Sequence, residues 1–170
     1  MPLVGVKRFN TNLRRLAEVT VPKRFGQFVQ FLAIGALKDV VTTTPVDFGQ
    51  ARAGWDVGIG SAPPPNTKPA PDKGGGKTIA AGTAQITKAP PFPLIVLQNA
   101  VVHAAVLDVG GFVPKDPGPS KDPRKGRHGR ILVSGGFSVQ APQGMTKGAR
   151  RRLRMQVASA ARAARRAVPR

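Results

Sequence analysis

The chain has no cysteine and no tyrosine, one tryptophan, two histidines and only eight acidic residues in 170. Each scarcity removes a class of protein. Without cysteine there is no disulfide framework, no thiolate zinc site and no cysteine nucleophile. Two histidines and eight acids leave little for a metal cluster. No apolar run reaches the ~20 residues that a membrane span needs. The best one, Phe28 to Val41, is interrupted by Gln30, Gly35, Lys38 and Asp39. The first residues, Met1 to Arg8, lack the unbroken apolar stretch of a signal peptide. The sequence reads as a soluble chain made in a reducing cytoplasm, with no membrane partner.

Positive charge is present in excess. Lys and Arg number 27, for a formal net charge of +19. Asp122 is the last acid, and thirteen of the 27 basic residues come after it. A surface so biased seeks polyanions or acidic partners. The length is that of a single domain, and 20 glycines with 17 prolines imply long irregular segments.

Hydrophobic spacing predicts a first long helix over residues 21–41, with Thr20 as N-cap and Pro22 in the first turn. Phe25, Val29, Leu32, Ala36 and Val40 form one apolar stripe, and Phe28, Phe31, Ile34 and Leu37 a second. Such a helix must be covered on two sides, either within one domain or by a sheet and a second subunit. The Thr42-Thr43-Thr44-Pro45 run ends it, and the Trp55/Val57/Ile59 alternation predicts a half-buried strand. Trp55 is expected to be buried against the first helix, near Phe28, Leu32 or nearby apolar residues.

Residues 61–77 read as a solvated linker or long hairpin arm. A short helix over 78–88 would put Ile79, Thr83 and Ile86 on one side. Leu94 to Leu97 predicts a short strand of the buried kind, and Val101 to Val109 a second apolar segment, helical or extended. Residues 111–135 form a basic Gly/Pro insertion. A second long helix runs from Thr146 to the end, with Leu153, Val157, Ala160, Ala164 and Val168 as a narrow stripe and Arg151, Arg162 and Arg166 opposite.

No constellation argues for an enzyme. Gly74-Gly75-Gly76-Lys77-Thr78 resembles the end of a phosphate-binding loop. Position 71, however, is proline where that motif needs glycine, and no buried strand precedes it, so the linker reading is preferred. His103 and His128 have no ligand partner at helix spacing. Asp47 and Asp56 are not a positioned carboxylate pair, and Asp47 suits a turn cap. No catalytic, cofactor or metal site is expected.

Two segments go beyond generic patterning. Thr44-Pro45-Val46-Asp47-Phe48-Gly49-Gln50-Ala51-Arg52-Ala53-Gly54-Trp55-Asp56-Val57 resembles the T-P-V-D-T-G-x-A-R-x-x-W-x-V signature of tailed-phage neck and tail-completion proteins, the tail-to-head joining and minor-tail-Z-like groups. Gln98 to Gly110, with Ser138 to Met145, is similar to the N-N-x-P-Y-A-x-x-L-E-x-G … S-x-Q-A-P-x-G-M pattern of the same family. Phe48, Val102, His103 and Asp108 stand where that family has Thr, Pro, Tyr and Glu. The motifs of the family serve folding and packing, so no catalytic residue is carried over.

The expected fold is α+β: a small, mostly antiparallel sheet packed with two long helices, plus extended loop arms. The resemblance implies a structural virion protein of the head–tail junction, assembled in the host cytoplasm. It would form a hexameric ring and contact other neck, connector and tail-terminator proteins, with genomic DNA in the channel. Lys121, Arg124, Lys125, Arg127 and Arg130 of the basic loop are the candidates for DNA proximity. Arg150, Arg151, Arg154, Arg162 and Arg166 of the last helix are the candidates for a partner interface. The charge alone also suits a cellular nucleic-acid-binding protein of ribosomal or nucleoid type. With no aromatics after Phe137, its contacts would be to phosphates.

Overall fold

The computed structural model describes residues 4–46, 48–109 and 144–168. They form a helix-rich α+β fold, as expected, with a two-stranded antiparallel sheet. Asp47, His128, the segment 111–135 and Ser138 to Gln143 lie outside the described residues.

Helix begins much earlier than residue 21. Helix α1, Val4–Arg15, runs through a π-turn at Leu16–Thr20 directly into α2, Val21–Thr43. Thr20 is therefore not an N-cap: its backbone is helical and its side chain makes no capping bond. Pro22 sits inside a helical run rather than at its start. A proline there removes one amide donor and crowds the carbonyl four residues back. The π-turn, in which the Val21 N–H donates to Leu16 O, loosens the backbone where that crowding falls.

The second long helix, α6, spans Met145–Ala167 and packs antiparallel to α2. At one end of the pair the Arg24 guanidinium donates from Nε to Val168 O at 3.0 Å. Towards the other, Arg152 Nε lies 3.2 Å from the Asp39 carboxylate. In this alignment α6 ends beside Arg24. The helical run from Val4 to Thr43 is about 60 Å long against about 35 Å for α6, so α1 overhangs its end. Residues 5–19 are all exposed.

Between the long helices come α3, Gln50–Ala53; β1, Trp55–Ile59; α4, Gly76–Ile86; β2, Ile95–Asn99; and α5, Ala104–Val109. The strands pair from Trp55 opposite Asn99 to Ile59 opposite Ile95. One sheet face lies on α4 and the end of α2, burying Trp55 and Val57. Every residue of β2 is only half-buried, so the continuous apolar run is not a strand covered on both faces. Among the described residues no helix lies on the other face of the ribbon, and at Gly58 the chain after β1 folds back over it, with Ser61 and Pro63 against the glycine.

The core joins Leu37, Val40 and Val41 of α2, Trp55 and Val57 of β1, Ile86 of α4, Val101 and Ala104 before and within α5, and Met145 and Ala149 of α6. Trp55 is thus buried against the long helix as expected, at its last turns rather than near Phe28 and Leu32. Its indole N–H donates to Thr44 Oγ1 at 2.8 Å, and that hydroxyl donates in turn to Val40 O at 2.6 Å. The stripe expected on α6 holds at Ala160 and Ala164, with Leu153 and Val168 half-buried, but fails at Val157. Met145, Gly148, Ala149, Ala160 and Ala164 are buried, whereas Val157 is 44% exposed. Two contacts pull polar positions inward: Arg152 finds Asp39, and Gln156 lies over Gly35, where a side chain would collide with it.

Candidate assembly interface and its scaffold

The Thr44–Val57 segment folds into a bracket at the end of α2, with Thr44 linking the Trp55 indole to the helix backbone. Gly49 takes the left-handed conformation, φ 88°, that glycine adopts without strain, and opens α3. Its carbonyl accepts the Asp72 N–H at 3.2 Å, and a side chain at 49 would strike the Lys73 backbone. Arg52 donates to Thr44 O at 2.9 Å, Thr42 O at 3.2 Å and Lys73 O at 2.7 Å. One guanidinium thereby ties the helix end, α3 and the 61–75 arm together. Five fork-like donors make arginine the residue for such a junction.

The second segment works the same way. Asn99 donates to Ala51 O at 2.7 Å and accepts the Val101 N–H at 3.1 Å, joining the end of β2 to α3. Ala104 is buried, and Leu107 packs against the core. The Asp108 carboxylate accepts the N–H groups of Met145 and Thr146, at 2.6 and 2.8 Å, and the Thr146 hydroxyl at 2.6 Å. It satisfies the free amides at the start of α6 and places negative charge at the positive end of the helix dipole.

A matching device starts α4, and it corrects the expectation of a solvated linker over 61–77. Residues 61–68 have no regular structure and are mostly exposed, but Pro69 and Gly75 are buried. Gly74 to Thr78 is the entry to α4, not a free linker. The Asp72 carboxylate accepts from Gly75 N, Thr78 N and Thr78 Oγ1, each at 2.9 Å. The helix start that resembles a phosphate cradle already holds an anion of its own. Those bonds, the Thr78 amide first, hold Asp72 below the usual carboxylate range.

A group lowered in the folded state contributes stability above its unfolded value, about 3.9. That contribution is lost as pH falls through the folded value. Asp72→Ala is therefore expected to lower stability at pH 7 by about 1 kcal/mol, the typical loss when alanine replaces a capping side chain. The difference from wild type should shrink in acid. Urea titrations at pH 7 and in strong acid, below the folded value, check this, and an equal difference at both would contradict it.

Asp56 lies on β1, half-buried, and burial raises its pKa. It shares a cleft of about 300 Å³ with Asp72 and Lys77. Asp72 is committed to the helix start, so the cleft holds no free carboxylate pair. His103 is exposed. Among the described residues no group of three His, Asp or Glu side chains is placed to hold a metal. No helix among them is long and apolar enough to cross a membrane.

The interface candidates on α6, Arg150, Arg151, Arg154, Arg162 and Arg166, are all exposed and fall on the side away from α2. Arg152 turns inward instead. The basic-loop candidates Lys121, Arg124, Lys125, Arg127 and Arg130 lie outside the described residues. Sequence reasoning missed the two carboxylate caps and the whole of α1. The signal for Asp72 was local, an acid three and six residues ahead of its partners. That for Asp108 was not, since its partners lie 37 and 38 residues away. The chain matches no protein-family model, no curated protein and no solved structure.

Proposed function

We propose that this chain is a structural protein of a tailed-phage neck, forming a ring that completes the tail and joins it to the head connector. The observation that supports this reading is the fate of the two signature-like segments. Thr44, Gly49, Arg52, Trp55, Asn99 and Asp108 each bind backbone or another signature residue in the scaffold, as motifs that serve assembly rather than catalysis would. A rigid bracket at one end of the α2–α6 pair leaves the arginine face of α6 free for acidic neighbours. Paired arginine–carboxylate contacts suit that face.

In a ring, identical subunits repeat one heterologous interface until it closes. The hexamer, the connector and tail-terminator partners, the virion location and the DNA-facing role of Lys121 to Arg130 belong to this proposal. Replacing Arg150, Arg151, Arg154, Arg162 and Arg166 together by Glu should leave thermal unfolding nearly unchanged, since all five side chains are exposed. It should abolish joining of tails to heads in an in vitro assembly assay. Normal joining by the folded variant would remove the arginine face from the proposal.

The second reading, a cellular nucleic-acid-binding protein, draws on the same exposed arginines. It expects binding to naked duplex that weakens steeply with salt. Portal, head-closure and tail-tube genes beside the coding sequence would favour the neck.

A further inference from the structure

The overhanging helix α1 and the π-turn carry an apolar stripe, Val6, Phe9, Leu13 and Leu16, each at least 46% exposed. The spacing of three, four and three residues is that of a coiled-coil seam, with Val6 and Leu13 at one seam position and Phe9 and Leu16 at the other. The π-turn extends the seam. A turn widened by one residue rotates the next part of the helix back by about 100°. That brings Val21 and Phe25, both exposed, into line with Leu16. Phe25 then meets the Phe92 ring at 5.0 Å between centroids. A helix as short as α1 is marginal in water by itself, and an apolar stripe along it calls for a cover.

We infer that the cover is the α1 of a second copy of this chain. Three candidate occupants are separated by width and charge. A bilayer surface takes a broad apolar face, whereas this seam is one residue wide per turn. An acidic partner would be selected by basic residues rimming the seam. Here the rim positions are Gly5, Asn10, Asn12, Ala17 and Val19, all uncharged. Lys7, Arg8, Arg14 and Arg15 lie farther round the helix. A chain of net charge +19 can therefore bring two copies of this helix together without apposing like charges at the contact, where partner choice is normally set.

A seam of little more than two heptads does not hold free helices together. It contributes when the bodies that carry it are already neighbours, so that pairing is effectively intramolecular. Pairing of a seam with its own copy is isologous, so it couples subunits in twos beside the heterologous contact that closes the ring; the inference rests on the ring reading for self-assembly alone.

The absence of native cysteine makes the test clean. Leu13→Cys, at the seam, and Thr11→Cys, on the back of the same helix, are each oxidised mildly and run on a non-reducing gel. Their mass in solution is compared with that of Leu13→Asp. Residues 5–19 are exposed, so none of these changes touches the core, and thermal unfolding verifies that each variant folds. The seam predicts a disulfide-linked dimer for Leu13→Cys at least about tenfold above Thr11→Cys, and a smaller assembly for Leu13→Asp. Equal cross-linking at both sites, or an oligomer of unchanged mass in Leu13→Asp, overturns the seam while leaving the ring standing. A wild-type monomer overturns both. Leu13-dependent binding of such a monomer to anionic vesicles would assign the stripe to a lipid surface instead.

Discussion

Trp55→Ala is expected to destabilise the protein by about 3–5 kcal/mol, the usual cost of removing a buried large aromatic. Trp55 is 6% exposed and sits where β1 meets the last turns of α2. Its removal opens a cavity in the cluster it shares with Val41, Val57 and Ile86, which the paired strands cannot collapse without giving up their register. The loss of the indole N–H has a smaller effect, because Thr44 Oγ1 keeps its bond to Val40 O. Trp55→Phe should therefore recover most of the loss. With total stability commonly about 5–15 kcal/mol, the alanine variant would be close to unfolding at body temperature. Chemical denaturation of both variants checks this, and a change within error for Trp55→Ala would contradict the packing of Trp55 in the core.

Leu37→Ala is expected to cost a comparable amount, about 2–5 kcal/mol. Leu37 is fully buried in the same cluster, and it packs against Gly82 of α4. A Cβ at position 82 would stand 2.5 Å from Leu37 Cδ2 and 2.9 Å from Val57 Cγ2, too close unless both shift. Alanine in a helix is favoured over glycine by about 1 kcal/mol, but here overpacking of about 1–3 kcal/mol opposes it. Gly82→Ala alone should be destabilising or neutral. In the Leu37→Ala background the nearest obstacle is gone and only Val57 must shift, so Gly82→Ala should cost less than in the wild type or become stabilising. A double-mutant cycle reads the coupling directly. Additive effects would show that α4 does not press on α2 at this point.

The elements legible in the sequence are those whose apolar residues meet their own chain. The Trp55/Val57 alternation marks a strand, and Ile79, Thr83 and Ile86 mark a helix that forms over Gly76–Ile86. Helix α1 escaped because Thr20 and Pro22 imitate a helix start. The competing stripe at Val6 to Leu16 has no partner among the described residues to reveal its purpose. The inward turn of α6 at Arg152 and Gln156 was hidden for another reason. Arg152 and Gln156 look like solvent positions until Asp39 and Gly35 are seen opposite them. As for function, charge marks where partners of opposite sign would bind. The two signature-like segments are joints of the scaffold, so they define a shape and not a chemistry.

Native mass spectrometry of the purified protein tests the central claim most directly. A neck ring predicts one discrete closed assembly whose mass is an integral multiple of 17.9 kDa, six copies by the resemblance, stable in the absence of nucleic acid. A monomer at micromolar concentration that assembles only along duplex DNA, with salt-dependent stoichiometry, would contradict it.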